Sequence, residues 1–284
     1  MPRTTAPSAH RWRQTANHGR RRRRGIEVSA ALRIENVSVS FGGVSALDEV
    51  SADFPQGKII GIIGPNGAGK TTLLNVICQM SPPDKGEVFL GERRLTGMKP
   101  NQVAALGLRR TFQASQLFAG MTVLENMMTG LHLMSTTGLF GAVFRTRRMR
   151  DEEAEMRRRA MEALDYVGFA HFAHRPGNAL SFGQQRIVEI ARTLIYEPKV
   201  VLLDEPAVGL SVNRVAELDA LLRRIRDERG VTLVMIEHVI RLVMEVSDHI
   251  VVLSSGRKIA EGDPSAVRND PTVVEAYLGH QAHA

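Results

Sequence analysis

Residues 57–80 read GKIIGIIGPNGAGKTTLLNVICQM. GKIIGIIG, Gly57 to Gly64, is almost wholly apolar and of strand length, the pattern of a strand buried on both faces. It enters a cluster of glycines, after which TTLLNVICQM takes helical spacing and stops before Ser81-Pro82-Pro83. Between strand and helix, Gly64, Pro65, Asn66, Gly67, Ala68, Gly69, Lys70 and Thr71 fit G-x-x-x-x-G-K-[ST], in the context that gives the pattern its meaning. Glycines let the backbone wrap closely around an anion, with amide hydrogens and the following helix N-terminus aimed at phosphate. In such a loop Lys70 reaches the β and γ phosphates of a nucleoside triphosphate, the Thr71 hydroxyl ligates Mg²⁺, and Thr72 is a further ATP-binding candidate.

Working outward, KVVLLDEP (Lys199 to Pro206) and VTLVMIEH (Val231 to His238) read as two more buried strands. The helical segment Asn213 to Gly230 joins them and ends on a glycine, as helices often do. Strand, helix and strand in alternation imply a parallel sheet with right-handed crossovers. The first of these strands places the Asp204 carboxylate beside a metal, and the adjacent Glu205 offers a second carboxylate to polarise an attacking water.

The flanks differ from this core. Leu32 to Ala52 alternates apolar and polar residues around Gly42-Gly43, which predicts antiparallel strands and a turn, and residues 86–95 predict another short strand pair. Met149, Met156 and Ala163 recur seven apart, with Ala160, Leu164 and Val167 on the same face, predicting a helical subdomain over about residues 114–180. HIVVLSSGRKIAEG reads as a hairpin and DPTVVEAYLG as a final short helix. The expected fold class is an α/β P-loop NTPase with a mainly parallel core sheet, an antiparallel β subdomain and an inserted α-helical subdomain.

A second phosphate-seeking feature sits in ALSFGQQRIVEIART, residues 179–193. Ser181 followed by Gln184 is a capping-box pattern ahead of a helix, and with Gly183 the helix start can also serve as an anion site. The helical subdomain could fold this end over the loop of its own chain, or two chains in a symmetric pair could close each other's nucleotide. Spacing does not choose between these geometries.

Composition narrows the field. The formal net charge is +7, but residues 1–26 hold eight arginines and no acid, so 29 basic residues face 30 acidic ones in the rest. The basicity therefore belongs to a tail, residues 1–30, which has no hydrophobic period and reads as disordered. Its arginines leave anionic lipid or nucleic acid as conceivable partners, and it lacks the apolar stretch of a secretory signal. No run approaches the roughly 18 to 20 apolar residues of a membrane span. The single cysteine, Cys78, excludes an internal disulfide and a cysteine-based zinc cluster and fits a small buried residue in a cytoplasmic protein.

GPNGAGKTT, TFQ, LSFGQQR, VVLLDEP and IEH, in that order, resemble the ATP-binding subunits of ABC transporters over about Leu32 to Gly279, making residues 31–284 one ATP-binding domain. The resemblance implies roles residue by residue. Phe41 resembles the aromatic that stacks on adenine, the alternative being a buried strand-end residue. Gln113 resembles the sensor of Mg²⁺ and attacking water. Glu205 matches the general base, and His238 the histidine that holds the γ phosphate. Ser181, Gly183 and Gln184 would contact ATP in trans, which answers the choice left open above.

The subfamily most similar is the branched-chain amino acid uptake ATPase, through the segments around residues 109–132 and 138–164 and the ending from Ser247. Phe182, in place of a signature glycine, fits that subfamily. Ser211-Val212, where it usually has Asn-Pro, and Val239, where an acid commonly follows the histidine, depart from it. The implied partners are a second ATPase subunit (identical or sister), two membrane permeases and a solute-binding protein, on the inner face of the cell membrane. Related urea, amide and aromatic-acid importers and lipopolysaccharide exporters are alternatives. A soluble ABC ATPase acting on nucleic acid or ribosomes is a further one, disfavoured because such chains usually carry two cassettes or a long coiled coil.

Overall fold

A computed structural model describes residues 30–111, 117–131 and 147–281. The arginine-rich tail and Gln113 lie outside the described residues.

Two sheets organise the chain. Strands β1 (Ala30–Phe41) and β2 (Val44–Pro55) form the expected hairpin, turning at Gly42-Gly43 and pairing Phe41 with Val44. β4 (Lys85–Leu90) and β5 (Arg93–Arg94) extend it into a four-stranded antiparallel sheet of order β2-β1-β4-β5. The second sheet has six strands in the order β10-β9-β3-β8-β7-β6. They are β3 (Ile59–Ile63), β6 (Leu108–Arg110), β7 (Val200–Asp204), β8 (Thr232–Ile236), β9 (His249–Ser254) and β10 (Arg257–Gly262). All its neighbours run parallel except β9 and β10, the predicted hairpin.

Every residue of β3, β7 and β8 is buried, as their continuous apolar runs require. The pleat then divides their side chains between two cores. Ile59, Ile63, Val201, Leu203, Leu233 and Met235 face the helical side. Ile60, Ile62, Val200, Leu202, Val234 and Ile236 face the side that holds the antiparallel sheet and helix α1 (Lys70–Ile77). The single cysteine, Cys78, is buried in this second core.

The region expected to be helical, about residues 114–180, contains α3 (Val123–Thr129), α4 (Arg147–Tyr166) and two short 3-10 turns; the short helix α2 (Pro100–Ala105) precedes it and α5 (Phe182–Leu194) follows it. Part of the predicted stripe on α4 is buried: Ala160, Ala163 and Leu164 enter the helical-side core, with Val167 just beyond, Met156 packs half-buried against it, and the Met149 side chain lies outside the described residues. Ion pairs of Glu155 with Arg158 and Arg159 lie on exposed or half-exposed surface of the same helix. Helix α6 (Val212–Arg229) closes on Gly230 in the left-handed conformation, φ 62°. Helices α7 (Ile240–Val246), α8 (Pro264–Arg268) and α9 (Pro271–Gln281) complete the chain. Among the described residues no helix is long and apolar enough to cross a membrane.

Candidate functional site

In an open parallel sheet the C-terminal strand ends face one crevice, and ligand sites collect there. Here β3 ends at Ile63, β7 at Asp204 and β8 at Ile236, so all three motif-bearing turns emerge on the same side.

The turn after β3 has the geometry of an anion cradle. Gly64, Gly67 and Gly69 have φ of 154°, 77° and 97°. A Cβ on Gly64 would lie 2.1 Å from the Leu253 carbonyl oxygen, and one on Gly69 would lie 2.5 Å from that of Ala46. Both positions thus need glycine for space as well as for backbone angle. Gly69 caps α1 from the left-handed region, leaving the helix start without a side-chain cap. Asn66, Gly67 and Thr71 are exposed, Thr72 is half-buried, and Pro65 and Ala68 are buried supports. Lys70 is 6 % exposed, and its Nζ donates to the carbonyls of Gly64 at 2.7 Å and Pro65 at 2.8 Å. Burial lowers the Lys70 pKa, while the Glu205 charge, near enough to be felt, raises it. A cationic tip held in low dielectric over exposed backbone amides suits an anion.

Glu205 stands at the head of β7 with φ 49°, an uncommon backbone for a residue with a side chain. Its Oε1 lies 2.9 Å from His238 Nε2, so two residues 33 positions apart in sequence meet. Asp204, one residue earlier, is buried on the opposite pleat. Its Oδ2 accepts from Arg110 Nη2 at 2.7 Å, and its amide donates to Thr111 Oγ1 at 3.3 Å.

Phe41 ends β1 with 55 % of its surface exposed, which removes the buried strand-end alternative and leaves an open aromatic face. At the second predicted site Ser181 caps α5 as the sequence pattern requires: its Oγ accepts from the Gln184 amide at 3.4 Å, and Gln184 Oε1 accepts from the Ser181 amide at 2.9 Å. Ser181 is exposed, and Gly183 and Gln184 are half-buried. A Cβ on Gly183 would meet Leu210 at 2.7 Å, and Phe182 flanks Gly209. The helix start therefore packs directly on the loop that follows Glu205.

Four residues that motif reading did not single out belong to the same neighbourhood. Glu237 is 1 % exposed; its Oε1 accepts from the Ala207 amide at 2.5 Å, and its Oε2 from those of His238 at 3.1 Å and Val239 at 3.4 Å. It ties the turn after Glu205 to the turn carrying His238. Burial raises its pKa against the pull of those amides. Arg110 contacts Asp204. Arg186, on α5, pairs with Glu189 at 3.0 Å and reaches the Glu205 carbonyl at 3.5 Å. Tyr277, on α9, buries its hydroxyl beside the Gly64 amide; burial pushes its pKa up to about 12 and the amide opposes the shift. The available signals were an acid wedged between a buried strand and a histidine, and arginines continuing an edge strand. Neither has the fixed spacing of a motif.

A model of the ABC transporter family matches residues 47–208. The chain belongs to the ABC transporter family. A second model, for branched-chain amino acid ATP-binding cassette transporters, matches residues 257–283, the segment from β10 through α9. The ABC cassette is 40 % identical over 248 residues to the high-affinity branched-chain amino acid transport ATP-binding protein LivG of Salmonella typhimurium, covering 87 % of this chain and 97 % of that one. It superposes on the ADP conformation of the cassette MJ1267 with a TM-score of 0.77 at 35 % identity, covering 88 % and 99 % of the two chains. A dimeric post-hydrolysis structure of the cassette MJ0796 bound to ADP and Pi gives 0.69 at 27 % identity, covering 82 % and 98 %. The expected fold class is thus that of solved ABC cassettes, and ATP is the nucleotide such cassettes bind.

Among the described residues no group of three His, Cys, Asp or Glu side chains is arranged to hold a metal ion. Mg²⁺ keeps several waters and takes one or two protein oxygens alongside substrate phosphates. The Thr71 hydroxyl and the Asp204 carboxylate are donors of that hard type.

Proposed function

We propose that this ABC ATPase powers an importer of branched-chain or closely related amino acids, hydrolysing ATP·Mg²⁺ at the phosphate loop. The observation that carries the catalytic part is the 2.9 Å contact of Glu205 with His238 beside the buried Lys70. Lys70 and the loop amides hold the β and γ phosphates, and Phe41 offers its exposed ring to the adenine. Thr71 and Asp204 are the protein oxygens on the metal side, with Gln113 following along the chain. When bound, Mg²⁺ neutralises charge developing on the transferred phosphoryl group. Glu205 takes the proton of the attacking water, and His238 orients that carboxylate and donates to the γ phosphate.

We assign Ser181, Gly183 and Gln184 to the nucleotide of a second cassette. MJ0796 is seen as a dimer, and a symmetric pair is the economical way to bring an outward-facing helix start to a nucleotide. The substrate class rests on the relatives named for branched-chain amino acid transport and on the matched C-terminal segment. Two permease subunits, a solute-binding protein and a place on the inner face of the cell membrane follow from that class. Phe118, 55 % exposed, and Met121, 38 % exposed, fit a permease contact, whereas Val123 of the same segment is core.

The test is Glu205→Gln in the full chain. Turnover should fall by at least about 10²-fold, the scale of a lost general base, while nucleotide affinity stays within about twofold. Undiminished turnover would remove Glu205 from the role of base. Purification from native membranes, with two permeases and a second cassette accompanying the chain, would test the assembly.

A further inference from the structure

Asp204 closes β7 with its side chain 5 % exposed, and a carboxylate so placed needs a counter-charge. Arg110, at the end of the edge strand β6 and itself 7 % exposed, supplies it through Nη2 at 2.7 Å. The other arm of the same guanidinium donates from Nη1 to Asn75 Oδ1 at 2.6 Å. Asn75 lies four residues beyond Thr71 on α1, so the two share a helix face. One guanidinium thus spans the elements that carry both oxygens assigned to the metal side.

Arg110 is held in place from a third direction. The next residue, Thr111, donates its amide to the Leu202 carbonyl at 2.9 Å and accepts the Asp204 amide on its hydroxyl. The register of β6 on β7 therefore fixes the cation to the carboxylate. A fixed positive charge hydrogen-bonded to Asp204 also repels a divalent cation that approaches the same carboxylate, and screening is weak at a buried site.

We propose that Arg110 is a positioning residue that offsets the Asp204 charge and so sets the Mg²⁺ concentration at which the cassette takes up metal-bound nucleotide. This rests on the assignment of Thr71 and Asp204 to the metal side. Losing the charge removes a repulsion on a divalent ion, which outweighs the loss of one neutral hydrogen bond to Asn75.

The experiment titrates Mg²⁺ against a non-hydrolysable fluorescent ATP analogue bound to the full chain in the Glu205→Gln background and repeats the binding in excess chelator. Arg110→Met should lower the half-saturating Mg²⁺ by about tenfold, with metal-free affinity changed less than about twofold. Arg110→Lys, which keeps the charge, should stay within about twofold of the parent. Arg110→Gln removes the charge while keeping a polar side chain and carries the same expectation as the methionine if that variant unfolds. An unchanged or raised Mg²⁺ midpoint in the uncharged variants would overturn the proposal. A parent chain whose nucleotide binding ignores Mg²⁺ would instead overturn the assignment of Thr71 and Asp204 on which it stands.

Discussion

Replacing Glu237 by glutamine changes one atom at the join of two loops. The carboxylate accepts three backbone amides from Ala207, His238 and Val239, the shortest at 2.5 Å. Glutamine has one oxygen, so whichever way the amide is turned its NH₂ faces a backbone N–H that then has no acceptor. Leaving a buried donor unmade costs about 1–3 kcal/mol, more where the lost acceptor was charged. Burial holds the Glu237 carboxyl above its ordinary range, so a neutral side chain recovers part of this. The expected net loss is about 2 kcal/mol, which lowers Tm by roughly 3–4 °C at about 2.1 cal/mol/K of unfolding entropy per residue. Functionally, the His238 turn and the turn after Glu205 lose their common tie, so kcat should fall by about tenfold or more. Nucleotide affinity should hold, because no Glu237 contact reaches the phosphate loop. Differential scanning calorimetry gives the first number and steady-state ATPase with nucleotide titration the others. A variant with wild-type Tm and kcat would refute the reasoning, and a loss of nucleotide affinity equal to the loss of kcat would show the tie to be merely structural.

Two further outcomes follow. Ser181→Arg sets a long cation at the exposed start of α5, so it should abolish turnover by paired cassettes while ATP affinity of the isolated chain stays within about twofold, measured by equilibrium dialysis; undiminished turnover would remove the trans role. All three tyrosines, Tyr166, Tyr196 and Tyr277, have pKa values raised by burial. An acid whose folded-state pKa is raised loses stability as pH climbs through its unfolded value near 10, so tyrosinate should appear in alkaline difference spectra together with unfolding, and Tyr277→Phe should lessen the loss of stability above about pH 10.

The strands of the parallel sheet were legible because burial on both faces demands uninterrupted apolar runs, and the loop from Gly64 to Thr71 because its backbone conformation admits few sequences. The hairpin over Leu32 to Ala52 was legible from its period of two. The edge strand β6 was not, since three residues of which two are arginines carry no alternation to read. Helices α7 and α8, at seven and five residues, are too short to establish a period. Within the site, Glu205 and His238 could each be named from the sequence, but not their contact. Arg110, Glu237 and Tyr277 act through partners 94, 30 and 213 positions away, and pairings at that range are set by the topology. Phe41 was ambiguous because a strand end does not declare which side of it meets solvent.

The contact of Gly183 and Phe182 with Leu210 and Gly209, and of Arg186 with the Glu205 carbonyl, has a thermodynamic consequence for a pair of cassettes. In the pair proposed above, the loop that follows one chain's own Glu205 would also support the helix start offered to the neighbour's nucleotide. Occupancy at one site then biases the other, and linkage requires the bias to be mutual. Nucleotide binding to the proposed pair should depart from the curve of independent sites, and silencing a single chain in a mixed pair should change the output of its intact partner from one half of the whole.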